Sequence, residues 1–470
     1  MTLSDPRHVY IETLGCQMNK ADSELMLGLL QQEGFLPVLD ATRADLVIIN
    51  TCQIRENAEE KAYSYLGPWG KLKQQHPNIK IAMAGCVAQQ TKEDVFKRAP
   101  YVDIVFGTQN IHELPQLVRR AFSGNEKQVV AVDRQKDKST FDYFSDVTQV
   151  RESKISAWVT IIEGCDYFCT YCVVPYTRGR QISRAPESVL EEVKRLAEAG
   201  YKEVTLLGQT VDAYGKDFAD RSYRLAELMA DVNALEGIER IRFMTSHPLD
   251  LSDAIIEAIA TLPKVMEYIH IPMQAGDDVI LDRMRRGYTA AQYYELVDKL
   301  YDRIPGVAVT GDYIVGFPGE TEAQFEQTLY SVSRSGIHFA NTAAYSARRQ
   351  TPAGIWEDRG EGQVPEPEKQ RRLQLLNEVI RDQAMSIHQA YEGQVLDVLV
   401  EGKSKRNAER WTGRTRNNKV VNFSSPLPEA QLVGQTIPVA ITQAYPFSLL
   451  GVHQLMPAPQ QAGHFAVACS

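Results

Sequence analysis

Three cysteines in one short run constrain this chain more than any other feature. Cys165, Cys169 and Cys172 stand in Glu163-Gly164-Cys165-Asp166-Tyr167-Phe168-Cys169-Thr170-Tyr171-Cys172-Val173-Val174-Pro175, with the spacing C-x-x-x-C-x-x-C. Three thiolates this close can hold three irons of a 4Fe-4S cluster, whereas ordinary clusters take four cysteines. The next cysteine in the sequence is Cys469. One iron would therefore be open, and an open metal position is where a substrate binds. The plain alternative is a structural zinc site, which usually shows two C-x-x-C pairs or histidines at set spacing. His247, the nearest downstream histidine, offers no such pattern.

Three further cysteines each close a short apolar run. Cys16 ends Val9-Tyr10-Ile11-Glu12-Thr13-Leu14-Gly15-Cys16, Cys52 ends Leu46 to Cys52, and Cys86 ends Ile79 to Cys86. Helix-like segments follow over Ala21 to Glu33, Glu56 to Gln74 and Thr91 to Arg98. Alternating strands and helices imply βαβ units and a parallel sheet, whose ligand site lies beyond the carboxyl ends of the strands. A buried cysteine at one strand end is an ordinary small filler. Three at equivalent positions suggest a second cluster.

A polar, broken stretch from Gly124 to Lys154 reads as a connection between folded units. Beyond it six strand-like runs alternate with amphipathic helices: Ala157 to Ile162, Glu203 to Leu207, Arg240 to Met244, Tyr268 to Ile271, Val307 to Val315 and Phe339 to Tyr345. In the first of these helices Pro186 suits the opening turn, Val189, Leu190, Val193 and Leu196 share a face, and Gly200 follows the end. Six β/α units fit a partial barrel. The clustered cysteines then occupy the loop after its first strand, on the face where barrel enzymes keep their active sites.

A third unit begins near Ser386, towards the end of a helical stretch from Glu366 to Gln389. Runs Val395 to Glu401, Glu409 to Thr412 and Val420 to Phe423 suggest a small β module. Lys403, Lys405, Arg406, Arg410, Arg414, Arg416 and Lys419 crowd there against one acid, Glu409, with Trp411 among them. Cations for phosphates and an aromatic for base stacking suit single-stranded RNA. A solvated charged edge is the competing reading.

With 44% apolar and 24% charged residues, the 470-residue chain is of globular type. The net charge of −9 argues against a uniformly basic surface but not against a local patch. Residues Met1 to His8 lack signal-peptide features, and no apolar run reaches the roughly 18 residues of a membrane span. We therefore expect a cytoplasmic protein with no membrane partner, in which cysteines serve as metal ligands rather than disulfides. The expected fold is α/β. It has an N-terminal doubly wound domain (1–150), a central partial (β/α)6 barrel (151–385), a small C-terminal β-barrel (386–456) and a flexible tail (457–470) in which Cys469 has no role.

The whole chain resembles the methylthiotransferase family of radical S-adenosylmethionine (SAM) enzymes. The resemblance is carried by Gly15-Cys16-Gln17-Met18-Asn19, Asn50-Thr51-Cys52, Arg55 to Lys61, Ala84 to Gln89, Cys172 to Arg180, His270 to Gly276 and Ile314 to Thr321. Within the family it is similar to the bacterial MiaB type, which modifies isopentenyladenosine beside the tRNA anticodon (position 37). It departs from that pattern at Thr210 and Asp212, where the family often has asparagines, and at Gln350, where glycine is usual.

The resemblance implies two [4Fe-4S] clusters, one held by Cys165, Cys169 and Cys172 and the other by Cys16, Cys52 and Cys86. It implies SAM as radical source and methyl donor for methylthiolation of C2 of the adenine, with Tyr171, Gly208, Gln209 and Gln274 helping to hold SAM. No catalytic residues are expected beyond the cluster ligands. It also implies a C-terminal TRAM domain. Partners would be the tRNA anticodon stem-loop, an external electron donor and a sulfur source. Arg178 and Arg180 are candidates for phosphate contact, though a plain surface role fits equally. Two alternatives stay open: the sister family acting on an aspartate of a ribosomal protein, and a noncatalytic iron–sulfur RNA-binding protein.

Overall fold

The computed structural model of the chain describes residues 6–53, 58–133, 149–220 and 222–455. The expectations for Arg55-Glu56-Asn57, for about half of the connecting stretch (134–148) and for Cys469 with its tail lie outside these residues. Two compact units divide between Ile380 and Arg381.

The first unit opens with six parallel strands: β1 (Arg7–Thr13), β2 (Phe35–Pro37), β3 (Leu46–Thr51), β4 (Lys80–Gly85), β5 (Ile104–Phe106) and β6 (Val129–Ala131). Their order in the sheet is β2-β1-β3-β4-β5-β6. Every residue of β3 is buried, as suits a central parallel strand covered on both faces. Leu46 and Ile48 share one core with Leu25 and Leu29 of helix Gln17–Gln32 and Leu117 of helix Leu114–Ser123. Val47 and Ile49 point the other way, towards Leu66 and Trp69 of helix Ala58–Gln75. Helices on both faces make the sheet doubly wound. Burying one such leucine or isoleucine contributes about 1.5–3 kcal/mol, so the alternation fixes the strand's register.

The single helix expected over Thr91–Arg98 is instead two short ones, Cys86–Thr91 and Asp94–Arg98. Lys92, at a φ of 51° between them, takes a left-handed conformation that no helix continues through. Cys86 thus opens a helix rather than preceding one at a distance.

The second half of this unit begins with β7 (Ser156–Thr160), then a small antiparallel pair, β8 (Ile162–Glu163) and β9 (Ile182–Ser183). β10 (Glu203–Leu207) and β11 (Arg240–Phe243) follow, then β12 (Tyr268–His270), β13 (Ala308–Val315) and β14 (Phe339–Ala344). They form two parallel three-stranded sheets, β11-β10-β7 and β12-β13-β14. A parallel bridge between Ile241 and Val265 links them into one six-stranded arc, the expected open barrel. Helices such as Pro186–Glu198 cover the outside, burying Val189, Val193 and Leu196.

The second unit is a closed barrel of β15 (Val395–Lys403), β16 (Trp411–Arg414), β17 (Val420–Ser424), β18 (Thr436–Tyr445) and β19 (Ser448–His453), in the order β15-β16-β17-β19-β18. The last two strands were not anticipated. Trp411 is 3% exposed and packs with Val398, Val421, Phe423 and Val439. This corrects the expectation that its ring is offered to bases: alternation along β16 turns it into the core. Lys419 is also buried, and burial brings its ammonium down to about 7.

Candidate active site

Cys16, Cys52 and Cys86 lie just past the carboxyl ends of β1, β3 and β4, the first two flanking the point where strand order reverses and the third one strand further on. Two glycines let these ends close together. A Cβ on Gly15 would stand 2.3 Å from Cys52 Cβ and 2.9 Å from its Sγ, and one on Gly85 would stand 2.3 Å from the Thr51 carbonyl oxygen. Buried amides then lock the loops. Asn19 Nδ2 donates to Asn50 Oδ1 and to the Thr51 carbonyl, and Asn50 Nδ2 donates back to the Asn19 carbonyl at 2.8 Å. Thr51 Oγ1 donates to the Ala84 carbonyl and accepts from the Val87 N–H. These contacts account for the asparagines and threonine that flank the cysteines in the sequence.

Cys16 and Cys86 differ electrostatically. A hydrogen bond from Cys52 draws Cys16 down to about 6, against the effect of burial. Burial pushes Cys86 up, opposed by the charge of Arg178.

Cys165, Cys169 and Cys172 occupy the loop after β8. Gly164 holds a φ of 72°, and a Cβ there would lie 2.1 Å from the Arg180 carbonyl oxygen. The loop is tied to its surroundings at several points. Cys165 N–H donates to the Gly179 carbonyl, Thr170 N–H to the Met284 carbonyl and Thr170 Oγ1 to the Arg283 carbonyl. Cys165 Sγ lies 3.3 Å from Thr210 Oγ1, and Arg286 Nη1 donates to Cys169 Sγ at 3.4 Å. Burial raises Cys165, and pushes Cys172 up to about 12 with the neighbouring Cys169 adding to it. Bound iron would reverse this, because a coordinating thiol is deprotonated outright.

These six cysteines are free thiols. Among the described residues no group of three His, Cys, Asp or Glu side chains is arranged to hold a single metal ion. Two separate sets of three thiols do suit cubane clusters, which take one thiolate per iron. Orphaned polar atoms beside each set add to the fit: Arg178 Nη1 near the first and Gln209 Oε1 near the second are buried without a hydrogen bond.

The other expected site residues sort unevenly. Gly208 and Gln209 follow β10, on the same strand-end edge as the cysteine loop. A Cβ on Gly208 would meet Ile162 Cγ2 at 2.0 Å, so only glycine fits. Tyr171 lies 3.5 Å from Arg286, and Arg286 Nη2 donates to the Pro272 carbonyl in the segment leading to Gln274. Gln274 takes a φ of 77° and bonds through its backbone to Asp312.

Thr210 and Arg286 were not assigned from sequence. Thr210 stood out there only as a departure from a family pattern. Asp212, the companion departure, accepts from the His247 N–H, and burial holds its carboxyl well above the usual range. Asp212 Oδ1, His247 Nε2 and Asp250 Oδ2 are likewise buried without hydrogen bonds.

Arg178 is not a surface arginine. It is 4% exposed and donates to Asp22 Oδ2 at 2.6 Å, so the expected phosphate contact is corrected for this residue: a carboxylate and burial have taken its place. Arg180 is exposed, with its guanidinium 5.1 Å from the centre of the Phe168 ring. In the second unit Lys403, Lys405 and Arg406 are exposed, while Arg410, Arg414 and Arg416 are half-buried. Arg414 pairs with Glu401 at 3.1 Å, and Lys403 Nζ covers the Trp411 ring at 3.7 Å.

Comparison with known proteins agrees with this layout. Residues 8–107 match a group described as uncharacterized protein family UPF0004, residues 159–330 the radical SAM superfamily and residues 389–452 the TRAM domain. A tRNA-2-methylthio-N(6)-dimethylallyladenosine synthase of Anoxybacillus flavithermus is 44% identical over 451 residues, covering 96% of this chain and 83% of that protein. The protein of that name from Carboxydothermus hydrogenoformans is 44% identical over 445 residues, covering 94% and 98%. The chain belongs to this radical SAM family.

Among solved structures, the radical SAM methyltransferase TsrM of Kitasatospora setae superposes with a TM-score of 0.56 at 13% identity, covering 74% of this chain and 75% of that one. The cobalamin-dependent SAM radical enzyme OxsB gives 0.51 at 13%, covering 75% and 55%. These two show likeness of fold. Among the described residues no helix is long and apolar enough to cross a membrane.

Proposed function

We propose that this protein attaches a methylthio group to C2 of isopentenyladenosine at position 37 of tRNA. What carries the reading is the presence of two three-cysteine sites on strand-end edges in a family member 44% identical to the named synthases over nearly its whole length. Cys165, Cys169 and Cys172 would hold one [4Fe-4S] cluster, and Cys16, Cys52 and Cys86 the other. Bound there with SAM, the clusters supply one-electron chemistry for hydrogen abstraction and an iron position for sulfur.

The chain's own residues bind, orient and exclude. Thr210 and Arg286 brace the thiols of the barrel loop, and Tyr171, Gly208, Gln209 and Gln274 line the adjoining strand ends to hold SAM. Burial of Cys52, Cys86 and Cys169 helps keep water from the reacting groups. The target base must leave its stack to reach them, as in other base-modifying enzymes. Lys403, Lys405, Arg406, Arg410, Arg414 and Arg416 would meet phosphates of the anticodon stem-loop.

An external electron donor and a sulfur source complete the cycle in the cytoplasm. Residues 1–150, 151–385 and 386–456 would act as three domains. The deciding experiment is anaerobic incubation of reconstituted protein with SAM, reductant and isopentenyladenosine-containing tRNA, followed by mass spectrometry of nucleosides. Methylthiolated adenosine is expected. Release of 5′-deoxyadenosine with the tRNA left unmodified would overturn the assignment of substrate.

A further inference from the structure

Arg178 lies shortly after Cys172 in the chain, yet its head belongs to the other cysteine site. The backbone anchors it from both sides: its N–H donates to the Val174 carbonyl at 2.7 Å, and its carbonyl accepts from Gln109 Nε2 at 3.0 Å. Thr108 Oγ1 donates to the neighbouring Thr177 carbonyl, so the segment after β5 holds the loop in place. The guanidinium is fully enclosed, and an arginine cannot escape burial by losing its proton. It therefore needs negative charge nearby.

The protein supplies only part of that charge. Asp22 Oδ2 takes Nη2 at 2.6 Å. Glu163 Oε1 stands 3.9 Å from Nη1, beyond hydrogen-bond range. Nη1 is left buried without a hydrogen bond. The thiols of Cys86 and Cys16 lie close enough to this guanidinium to interact with it. A donor fixed at its backbone, held by one carboxylate, with Nη1 left without a hydrogen bond and two thiols nearby, is placed for a further anion.

We infer that Arg178 is a positioning residue for the N-terminal cluster, its free Nη1 donating to the sulfurs gathered by Cys16, Cys52 and Cys86. The inference rests on the two-cluster reading above. A cubane carrying three thiolates is a net anion, and each reduction or added sulfur ligand makes it more negative. Hydrogen bonds to sulfur and nearby charge are levers on cluster potential. Arg178 thus favours the reduced cluster and retains anionic sulfur at that site. Because it extends from the loop that bears the other three cysteines, it also joins the two sites through one short segment.

The test uses the full chain in two backgrounds, each able to form one cluster. With Cys165, Cys169 and Cys172 replaced by alanine, Arg178→Met should lower the midpoint potential of the remaining cluster, read by redox titration followed by electron paramagnetic resonance. Asp22→Asn, which leaves the arginine uncompensated and barely changes volume, should raise it. That opposite sign keeps the inference testable if Arg178→Met does not fold. With Cys16, Cys52 and Cys86 replaced instead, Arg178→Met should leave the barrel cluster's potential unmoved.

A purely structural strap between Asp22 and Arg178 would lower the melting temperature in both variants and shift neither potential, which would overturn the inference. Equal shifts in both backgrounds would overturn it too. Failure of the first background to bind any iron would instead sink the two-cluster reading on which it rests.

Discussion

Arg286 Nη1 lies 3.4 Å from Cys169 Sγ. The contact is held rigidly: Nε donates to Tyr288 Oη at 2.9 Å, Nη2 to the Pro272 carbonyl at 3.2 Å, and Tyr288 Oη in turn donates to the Met273 carbonyl. One buried cation therefore bridges the cysteine loop and the segment carrying Gln274. Charge-assisted hydrogen bonds of this kind are among the stronger ones. Arg286→Met should slow SAM cleavage at least about tenfold, some 1.4 kcal/mol of barrier, measured as 5′-deoxyadenosine formed without tRNA. tRNA affinity should stay within twofold. A cleavage rate equal to the parent's would show that the contact only packs the loop.

The two sets of cysteines should separate by iron content and by chemistry. Reconstituted protein should carry about eight irons, and either triple alanine variant about four. Loss of Cys165, Cys169 and Cys172 should abolish SAM cleavage. Loss of Cys16, Cys52 and Cys86 should leave cleavage in place while ending methylthiolation. Normal modification of tRNA by the second variant would make the N-terminal cysteines structural and this division of labour wrong.

Much of this organisation is legible in the sequence, and for a physical reason. β3 and β10 are buried on both faces, so their β-branched and apolar runs announce themselves without periodicity. Cysteines at the ends of such runs must fall on the carboxyl edge of a parallel sheet. What stays hidden depends on direction rather than composition. Trp411 among lysines and arginines looks like a base-stacking ring until alternation along β16 turns it inward. Arg178 after the cysteine loop looks like a phosphate contact until Asp22, 156 residues away in the chain, is found against it. β18 and β19 mix polar and apolar residues and only closure of the barrel defines them.

The barrel of the second unit offers a clean contrast between packing and charge. Trp411 fills its core, so Trp411→Ala should cost about 3–5 kcal/mol of stability by cavity formation. Lys405→Ala and Arg406→Ala, both exposed, should barely change stability. In the intact protein the latter pair should weaken tRNA binding and reduce the salt slope by about one for each phosphate left without its cation. Chemical denaturation and binding titrations from 50 to 200 mM salt, roughly the range over which phosphate neutralisation is felt, read the two effects separately. Unaltered affinity and slope would reduce the basic cluster to a solvated edge.

His270 and Asp312 form a pair whose pH dependence has a definite sign. Nε2 and Oδ2 are 3.2 Å apart, Nδ1 lies 3.0 Å from Thr310 Oγ1, and Asn341 Nδ2 donates to Asp312 Oδ1. Burial alone would lower the imidazole, but the Asp312 charge outweighs it and His270 titrates above its ordinary 6.5. Asp312, half-buried, is held below 3.8 by His270, Asn341 and the charge of Arg286, against the desolvation that would raise it. A raised histidine stabilises fully below its unfolded value and loses that contribution as pH climbs through the folded one. A lowered carboxylate stabilises above its unfolded value and loses that contribution as pH falls through the folded one. The melting temperature should therefore decline as pH rises from 6.5 through the raised imidazole value. His270→Asn should flatten that alkaline decline while leaving the rest of the profile similar. Melts at pH 6 to 9, spanning roughly the range in which a histidine so shifted titrates, would settle the matter. Parallel curves for parent and variant would mean that the pair's protonation is not linked to folding.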